Sequence, residues 1–269
     1  MTVVAVLSMK GGVGKTSVTL GLASAAWDRG LRTLVIDMDP QANATMALEV
    51  DSPAFTTSDV LADGRAGVAR DAVTVSGWND AIHVIPAERS LEHRSVPDGR
   101  NSALRLRTSL ATLPDDYPLV VIDCPPSLGE LTRNALSAAD RAVIVTEPSS
   151  FALHGATEAL EAVEVIAEAT NPSLRTACVV VNRFDPDDRD MRYCMDRLLA
   201  EHGGLVHQPA LLECAGVRQS QRAGTPIHSW NSPGSRDVAD QFDDLLDTLL
   251  PPPRPTRSQP TFSLKRYLA

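Results

Sequence analysis

Residues 2–17 read TVVAVLSMKGGVGKTS. A valine-rich apolar run, a loop with three glycines in four residues, and a Lys-Thr pair opening a helical pattern follow one another directly. This order predicts a buried strand, a tight turn and a helix that starts at the turn. Gly11, Gly12 and Gly14 let the backbone turn sharply and bring N–H groups close to an anion. The helix N-terminus adds its partial positive charge. Lys15 is placed to reach the β- and γ-phosphates of a nucleotide, and the Thr16 hydroxyl to ligate Mg²⁺. The loop set is thus Lys10, Gly11, Gly12, Val13, Gly14, Lys15, Thr16 and Ser17. A dinucleotide-binding turn, G-x-G-x-x-G, is the rival. Gly12 and Gly14 fit it, but Ser17 stands where its third glycine belongs, and the Gly-Lys-Thr run is left unexplained. The loop also departs from G-x-x-x-x-G-K-[ST] in two ways: Met9 replaces the first glycine, and a second lysine, Lys10, precedes Lys15.

Further apolar runs follow: RTLVID, IHVIPA, PLVVID, RAVIVTE and TACVVVN. Each is nearly continuous rather than alternating, as expected of parallel strands covered on both faces. Helical patterns lie between them. KTSVTLGLASAAWDRG ends on Gly30 as a C-cap, NSALRLRTSLATL starts with a cap at Asn101 or Ser102, HGATEALEAVEVIAEAT is the longest, and SRDVADQFDDLLDTLL is the last. The expected fold is α/β: a single domain with a doubly wound, mostly parallel sheet and helices on both faces, of the P-loop type. The ATPase domain is expected over residues 1–250. PPPRPTRSQP then opens a Pro-rich linker and short tail, residues 251–269.

The chain has 269 residues, 43% hydrophobic and 22% charged, enough for a sizeable core. A formal net charge of −9 argues against a uniformly basic nucleic-acid binder but leaves room for a local patch. The four cysteines, Cys124, Cys178, Cys194 and Cys214, show no C-x-x-C spacing, so free thiols in a reducing compartment are expected rather than a zinc site. The first residues lack the basic start of a signal peptide, and no apolar run reaches the ~20 residues of a spanning helix.

Two segments add acids at strand ends, where α/β sheets bind ligands. VIDMDPQANAT supplies Asp37 and Asp39, expected to point opposite ways so that one of them reaches the phosphates. LVVID ends in Asp123 and continues into CPPSLG, a Walker B pattern whose acid holds Mg²⁺ through water. Pro125 and Pro126 stiffen the loop that leaves it.

Together KGGVGKTS, VIDMDPQANAT, VVIDCPPSLGELTRNAL and FALHG resemble the ParA/Soj partition ATPases, the deviant Walker A class of the ParA/MinD superfamily. The resemblance runs from Thr2 to about Leu250, with the most specific motifs in the first half. It implies ATP/ADP and Mg²⁺ as cofactors and a homodimer in the ATP state. It implies catalytic roles for Lys15 in cis, for Lys10 reaching across to the other subunit's nucleotide, and for Asp39 orienting the attacking water. It implies Mg²⁺ held around Thr16, Asp37, Asp39 and Asp123, and adenine read by Asn182 in VVVNRFD. Slow, partner-stimulated ATP hydrolysis would reset the switch. Further implied partners are non-specific DNA and a DNA-binding or cargo adaptor, in a cytoplasmic, nucleoid-associated protein. The chain begins at its first strand, which resembles the short chromosomal type without a helix-turn-helix domain, and an orphan paralogue fits as well.

The second half departs from the family pattern. LLECAGVRQSQRAGTPI stands where an IPRN-like stretch is usual, with the family's proline and arginine falling near Leu212 and Glu213. Candidate DNA contacts are Arg189 and Arg192, flanked by Asp185, Asp187, Asp188 and Asp190, and the pair Arg218 and Arg222. The tail TFSLKRYLA mixes apolar and basic residues; a disordered end is expected, with a membrane or partner contact similar to a short MinD-type anchor as the alternative. Two alternatives stand beside partition: a MinD-like membrane-surface ATPase that positions division proteins, and a metabolic ATP-dependent ligase of the same superfamily.

Overall fold

The computed structural model describes residues 1–250 apart from 115, 150 and 151. In chain order the elements are β1 (Thr2–Leu7), α1 (Lys15–Asp28), β2 (Thr33–Asp37), α2 (Asn43–Ala47), α3 (Thr57–Asp63), β3 (Thr74–Val75) and β4 (Ile82–Ile85). There follow α4 (Arg105–Leu110), β5 (Leu119–Asp123), α5 (Glu130–Ala138), β6 (Arg141–Thr146), α6 (Ala152–Ala169) and β7 (Arg175–Val181). The last three are α7 (Arg189–His202), α8 (Ala215–Arg222) and α9 (Ser235–Leu249).

The strands form one sheet in the order β3-β4-β2-β5-β1-β6-β7, parallel except for the antiparallel edge pair β3–β4. The six expected strands all form. The two-residue β3 was not expected, because TV carries too little apolar length to stand out.

Alternate strand residues feed opposite faces, the period of two inherent in a strand. Val3, Ala5 and Leu7 of β1 join Leu34, Ile36, Val120 and Ile122 on the face covered by α3, α5, α6 and α7. Val4 and Val6 join Val121, Val143 and Val180 on the face covered by α1 and α9. Both faces are buried, which is why the strands read as unbroken apolar runs.

Helix α1 lies close against α9. A Cβ added at Gly21 would sit 2.2 Å from a ring carbon of Phe242, so this mid-helix glycine makes room for a buried aromatic ring. The helix ends at Asp28, with Arg29 capping and Gly30 next in the left-handed region at φ 70°. That is the expected glycine stop.

The stretch 101–113 differs from its expectation. A 3₁₀ turn over Ser102–Leu104 precedes the shorter α4, and neither Asn101 nor Ser102 caps with its side chain. Asp188, one of the acids flanking Arg189 and Arg192, caps α7 by accepting from the Asp190 and Met191 N–H groups. Among the described residues no helix is long and apolar enough to cross a membrane. The tail TFSLKRYLA lies outside the described residues.

Candidate nucleotide site

The strand order decides what the glycine loop meets. β1 lies beside β5, and β5 beside β2, so the loop after Leu7 opens next to two acid-ended strands. Asp123 is level with Val6 on one side and with Asp37 on the other. Three motifs far apart in sequence therefore converge at the carboxyl ends of β1, β2 and β5.

The loop is held open. Gly12 and Gly14 have φ of 84° and 90°, left-handed values that favour glycine. Gly14 is also the N-cap of α1 and makes no side-chain cap, so the helix's first N–H groups remain for an anion. A Cβ at Gly14 would fall 2.2 Å from Asn182 Nδ2. Asn182 is buried and donates from Nδ2 to the Val13 carbonyl at 2.8 Å. Arg183 donates from Nη1 to the Gly12 carbonyl at 2.9 Å. The end of β7 thus grips two consecutive carbonyls of the loop.

Lys15 opens α1 with only 6% of its surface exposed. One residue on, Thr16 donates to Asp123 Oδ2 at 2.7 Å, and Thr19, one turn later, to Oδ1 at 3.2 Å. Asp123 is fully buried, and that burial, followed by the charge of Asp37, holds its carboxyl above the usual carboxylate range. Asp37 is raised too, again chiefly by burial. It accepts from the Thr45 N–H at 2.9 Å, the Thr45 hydroxyl at 2.8 Å and the Asp39 N–H at 3.0 Å. A hydroxyl and a carboxylate already side by side, with a second acid across the strand, form the hard oxygen set that suits Mg²⁺ with water and phosphate completing it.

Asp37 and Asp39 are not parted by strand alternation as expected. Residues two apart on an extended segment share a face, and β2 ends at Asp37 in any case. Their partners separate them. Asp37 is committed to Thr45, while Asp39 accepts from the Gln41 N–H at 2.9 Å and lines a cavity of about 350 Å³. Pro125, Pro126, Glu92 and Glu130 share that cavity. Glu130 is 4% exposed, and its Oε1 has no hydrogen-bond partner among the described residues.

Lys10 stands at the rim with its side chain 58% exposed, 3.5 Å from Glu147 Oε2. Of FALHG, Phe151 lies outside the described residues. Gly155 on α6 backs the loop, since a Cβ there would lie 3.9 Å from Met9 Cβ.

The DNA candidates lie on two helices, α7 and α8, and one of them is ion-paired. Arg189 and Arg192 are exposed at the start of α7, and Arg222 is exposed in the last turn of α8. Arg218 is ion-paired with Glu213, whose other oxygen lies 3.8 Å from Arg183 Nε. Leu212, the other atypical position, donates its N–H to Gln241 of α9 at 3.0 Å.

Sequence reasoning missed Thr19, Thr45, Glu147, Arg183 and Glu130. Thr19 was findable, three residues after Thr16 on the same helical face. Thr45 meets Asp37 across a turn only eight residues long, and the others depend on which segments the fold brings together.

The buried acid at Asp123 makes the site costly to the empty fold. A carboxyl that keeps its proton more tightly folded than unfolded makes stability fall as pH rises between about 4 and the raised value. Asp123→Asn is expected to flatten that fall and to raise the melting temperature of the nucleotide-free protein by roughly 3 °C at pH 8. Thermal scans from pH 5 to pH 8 check this. A variant with the wild-type slope would show that Asp123 ionises normally.

The fold and the site define a P-loop nucleotide-binding protein with a second lysine in its loop, the deviant Walker A class. The family model described as an AAA domain matches residues 1–176. The chromosome partitioning protein ParA of Caulobacter vibrioides is 32% identical over 233 residues, covering 84% of this chain and 86% of the relative. The chain belongs to the ParA/Soj family of partition ATPases. Among solved structures, a Cyanothece McdA–ATP complex superposes with a TM-score of 0.79 at 22% identity, covering 93% and 96% of the two chains. Cobyrinic acid a,c-diamide synthase of Mycobacterium smegmatis, with bound ADP and magnesium, gives 0.76 at 25% identity over 92% and 93%.

Proposed function

We propose that this chain is an ATP-dependent dimerising switch. It binds DNA non-specifically in its ATP state and hydrolyses ATP to drive chromosome or plasmid partition, or the positioning of another cargo. The observation that carries this reading is Lys10. A second loop lysine stands exposed at the rim, against Glu147, while Lys15 is buried within.

ATP and Mg²⁺ are the cofactors of the reading. Lys15 and the N–H groups of the loop hold the β- and γ-phosphates, and Asn182, whose Nδ2 is given to the Val13 carbonyl, has its amide oxygen left for the base. Thr16 with Asp123 holds the metal, supported by Asp37. Asp39 orients the attacking water, which is most of what phosphoryl transfer asks of a protein once charge is neutralised. An adaptor that speeds hydrolysis would bring a cationic group to the cavity beside Asp39. The acids Glu92 and Glu130, the latter buried with a free oxygen, suit such a guest. The protein would work in the cytoplasm on the nucleoid.

The diamide synthase likeness gives a metabolic ligase as the second reading. The membrane reading rests on residues 262–268, outside the described residues.

Retention on random-sequence duplex DNA separates the readings. With a non-hydrolysable ATP analogue and Mg²⁺ the protein is expected to stay bound. With ADP it elutes, and affinity falls linearly in log–log plots against salt. ATP turnover is expected to respond to DNA and a protein partner. Turnover that ignores DNA and requires a carboxylic acid co-substrate would replace this reading with the ligase.

A further inference from the structure

Glu147 follows the last residue of β6, and its two oxygens serve two cations. Oε2 lies 3.5 Å from Lys10 Nζ, and Oε1 accepts from Arg183 Nη1 at 2.9 Å. Arg183 is itself held on three sides. The same Nη1 donates to the Gly12 carbonyl at 2.9 Å, and Nε lies 3.8 Å from Glu213 Oε2. Its backbone sits at φ 57°, the left-handed region that a non-glycine residue occupies only when its surroundings demand it. A charge chain, Lys10–Glu147–Arg183–Glu213–Arg218, therefore runs from the phosphate loop to the atypical segment after β7.

The two cations on Glu147 are unequal. Lys10 is a flexible point charge, 58% exposed, at the long end of ion-pair range. Arg183 is 40% exposed and shorter in contact, and its Nη1 also donates to the loop carbonyl of Gly12. If Lys10 leaves Glu147, the carboxylate stays 24% exposed beside a loop built for a polyanion. An uncompensated acid there would repel the phosphates and pull Lys10 back.

We propose that Arg183 is a positioning residue that keeps Glu147 neutralised, so that Lys10 can be released to the partner subunit's nucleotide. The proposal rests on the dimer reading above and extends it to the control of the crossing lysine. Arg183 acts through Glu147, not on the reacting atoms. The segment that departs from the family pattern gains a role: Glu213 and Arg218 hold the far side of the same guanidinium.

The test is the ATP-dependent dimerisation constant, measured by sedimentation with Mg²⁺ and a non-hydrolysable ATP analogue. Exposed ion pairs change an equilibrium by about threefold each, and a two-fold symmetric dimer contains the pair twice. Arg183→Gln is therefore expected to weaken the dimer by about tenfold. Glu147→Gln added in the same chain is expected to restore it to within about twofold of wild type, because the acid that recaptures Lys10 is gone. Arg183→Lys, which keeps the charge but loses the separate Nε approach to Glu213, should fall between. ADP binding by each variant confirms that the loop is folded.

Rescue by Glu147→Gln is the outcome a purely structural role would not give. Loss of the Gly12 contact alone would weaken the dimer without rescue, and that result overturns the proposal. An Arg183→Gln dimer as tight as wild type also overturns it. A wild-type chain that remains monomeric overturns the dimer reading and this proposal together, whereas an unrescued variant beside a dimerising wild type overturns this proposal alone.

Discussion

Lys15→Ala is expected to reduce ATP affinity by two to three orders of magnitude, on the order of 3–4 kcal/mol, and with it all nucleotide-dependent behaviour. The side chain is almost fully buried at the first position of α1, so its ammonium would meet phosphate in a site from which water is largely excluded. Backbone N–H groups and the helix terminus remain in the variant, but they carry partial charges only. The substitution also removes a positive charge that holds the buried Asp123 carboxyl down against the effect of burial. The nucleotide-free variant should therefore shift further towards a protonated Asp123. Calorimetric titration with Mg²⁺–ATP checks the affinity. A dissociation constant within threefold of wild type would mean that Lys15 does not reach the phosphates.

Asp39→Ala is expected to lower the hydrolysis rate by about 10²–10⁴-fold while ATP binding stays within about threefold, trapping the ATP-bound dimer on DNA. The geometry supports that separation. The Asp39 carboxylate accepts one hydrogen bond among the described residues, from the Gln41 N–H, and Asp39 lines the cavity beside Pro125 and Pro126. Asp37 holds the turn of residues 37–45 through Thr45, so removing the Asp39 carboxylate leaves that turn supported. The expected structural cost is one lost turn hydrogen bond, about 1 kcal/mol. Single-turnover phosphate release measures the chemistry apart from binding. Normal release in the variant would move the water-orienting role away from Asp39.

The nucleotide loop was legible in sequence because its parts are local. Strand, glycines, lysine, threonine and helix lie within residues 2–28, and each local preference agrees with the next. Asp123 was legible as the polar end of an apolar strand. Its adjacency to Asp37 required knowing that β5 inserts between β1 and β2, which no local pattern encodes. Glu147 reads in sequence as the first polar residue after RAVIVT. Its meaning comes from partners 137 and 36 residues away. The acids flanking Arg189 and Arg192 carry a local role the sequence did not show: Asp185 closes a turn and Asp188 caps α7. Glu213 stood out as a departure, but only its pairing with Arg183 and Arg218 shows what the departure accommodates.

The central claim is that the phosphate loop is built for two subunits, with Lys10 serving the other copy. Light scattering on a sizing column, with Mg²⁺–ATP present, tests it on two chains: Asp39→Ala, and Asp39→Ala carrying Lys10→Ala. The account predicts twice the chain mass for the first and the single chain mass for the second, with ATP bound in both. A monomer in the first, or an equally tight dimer in the second, would contradict it.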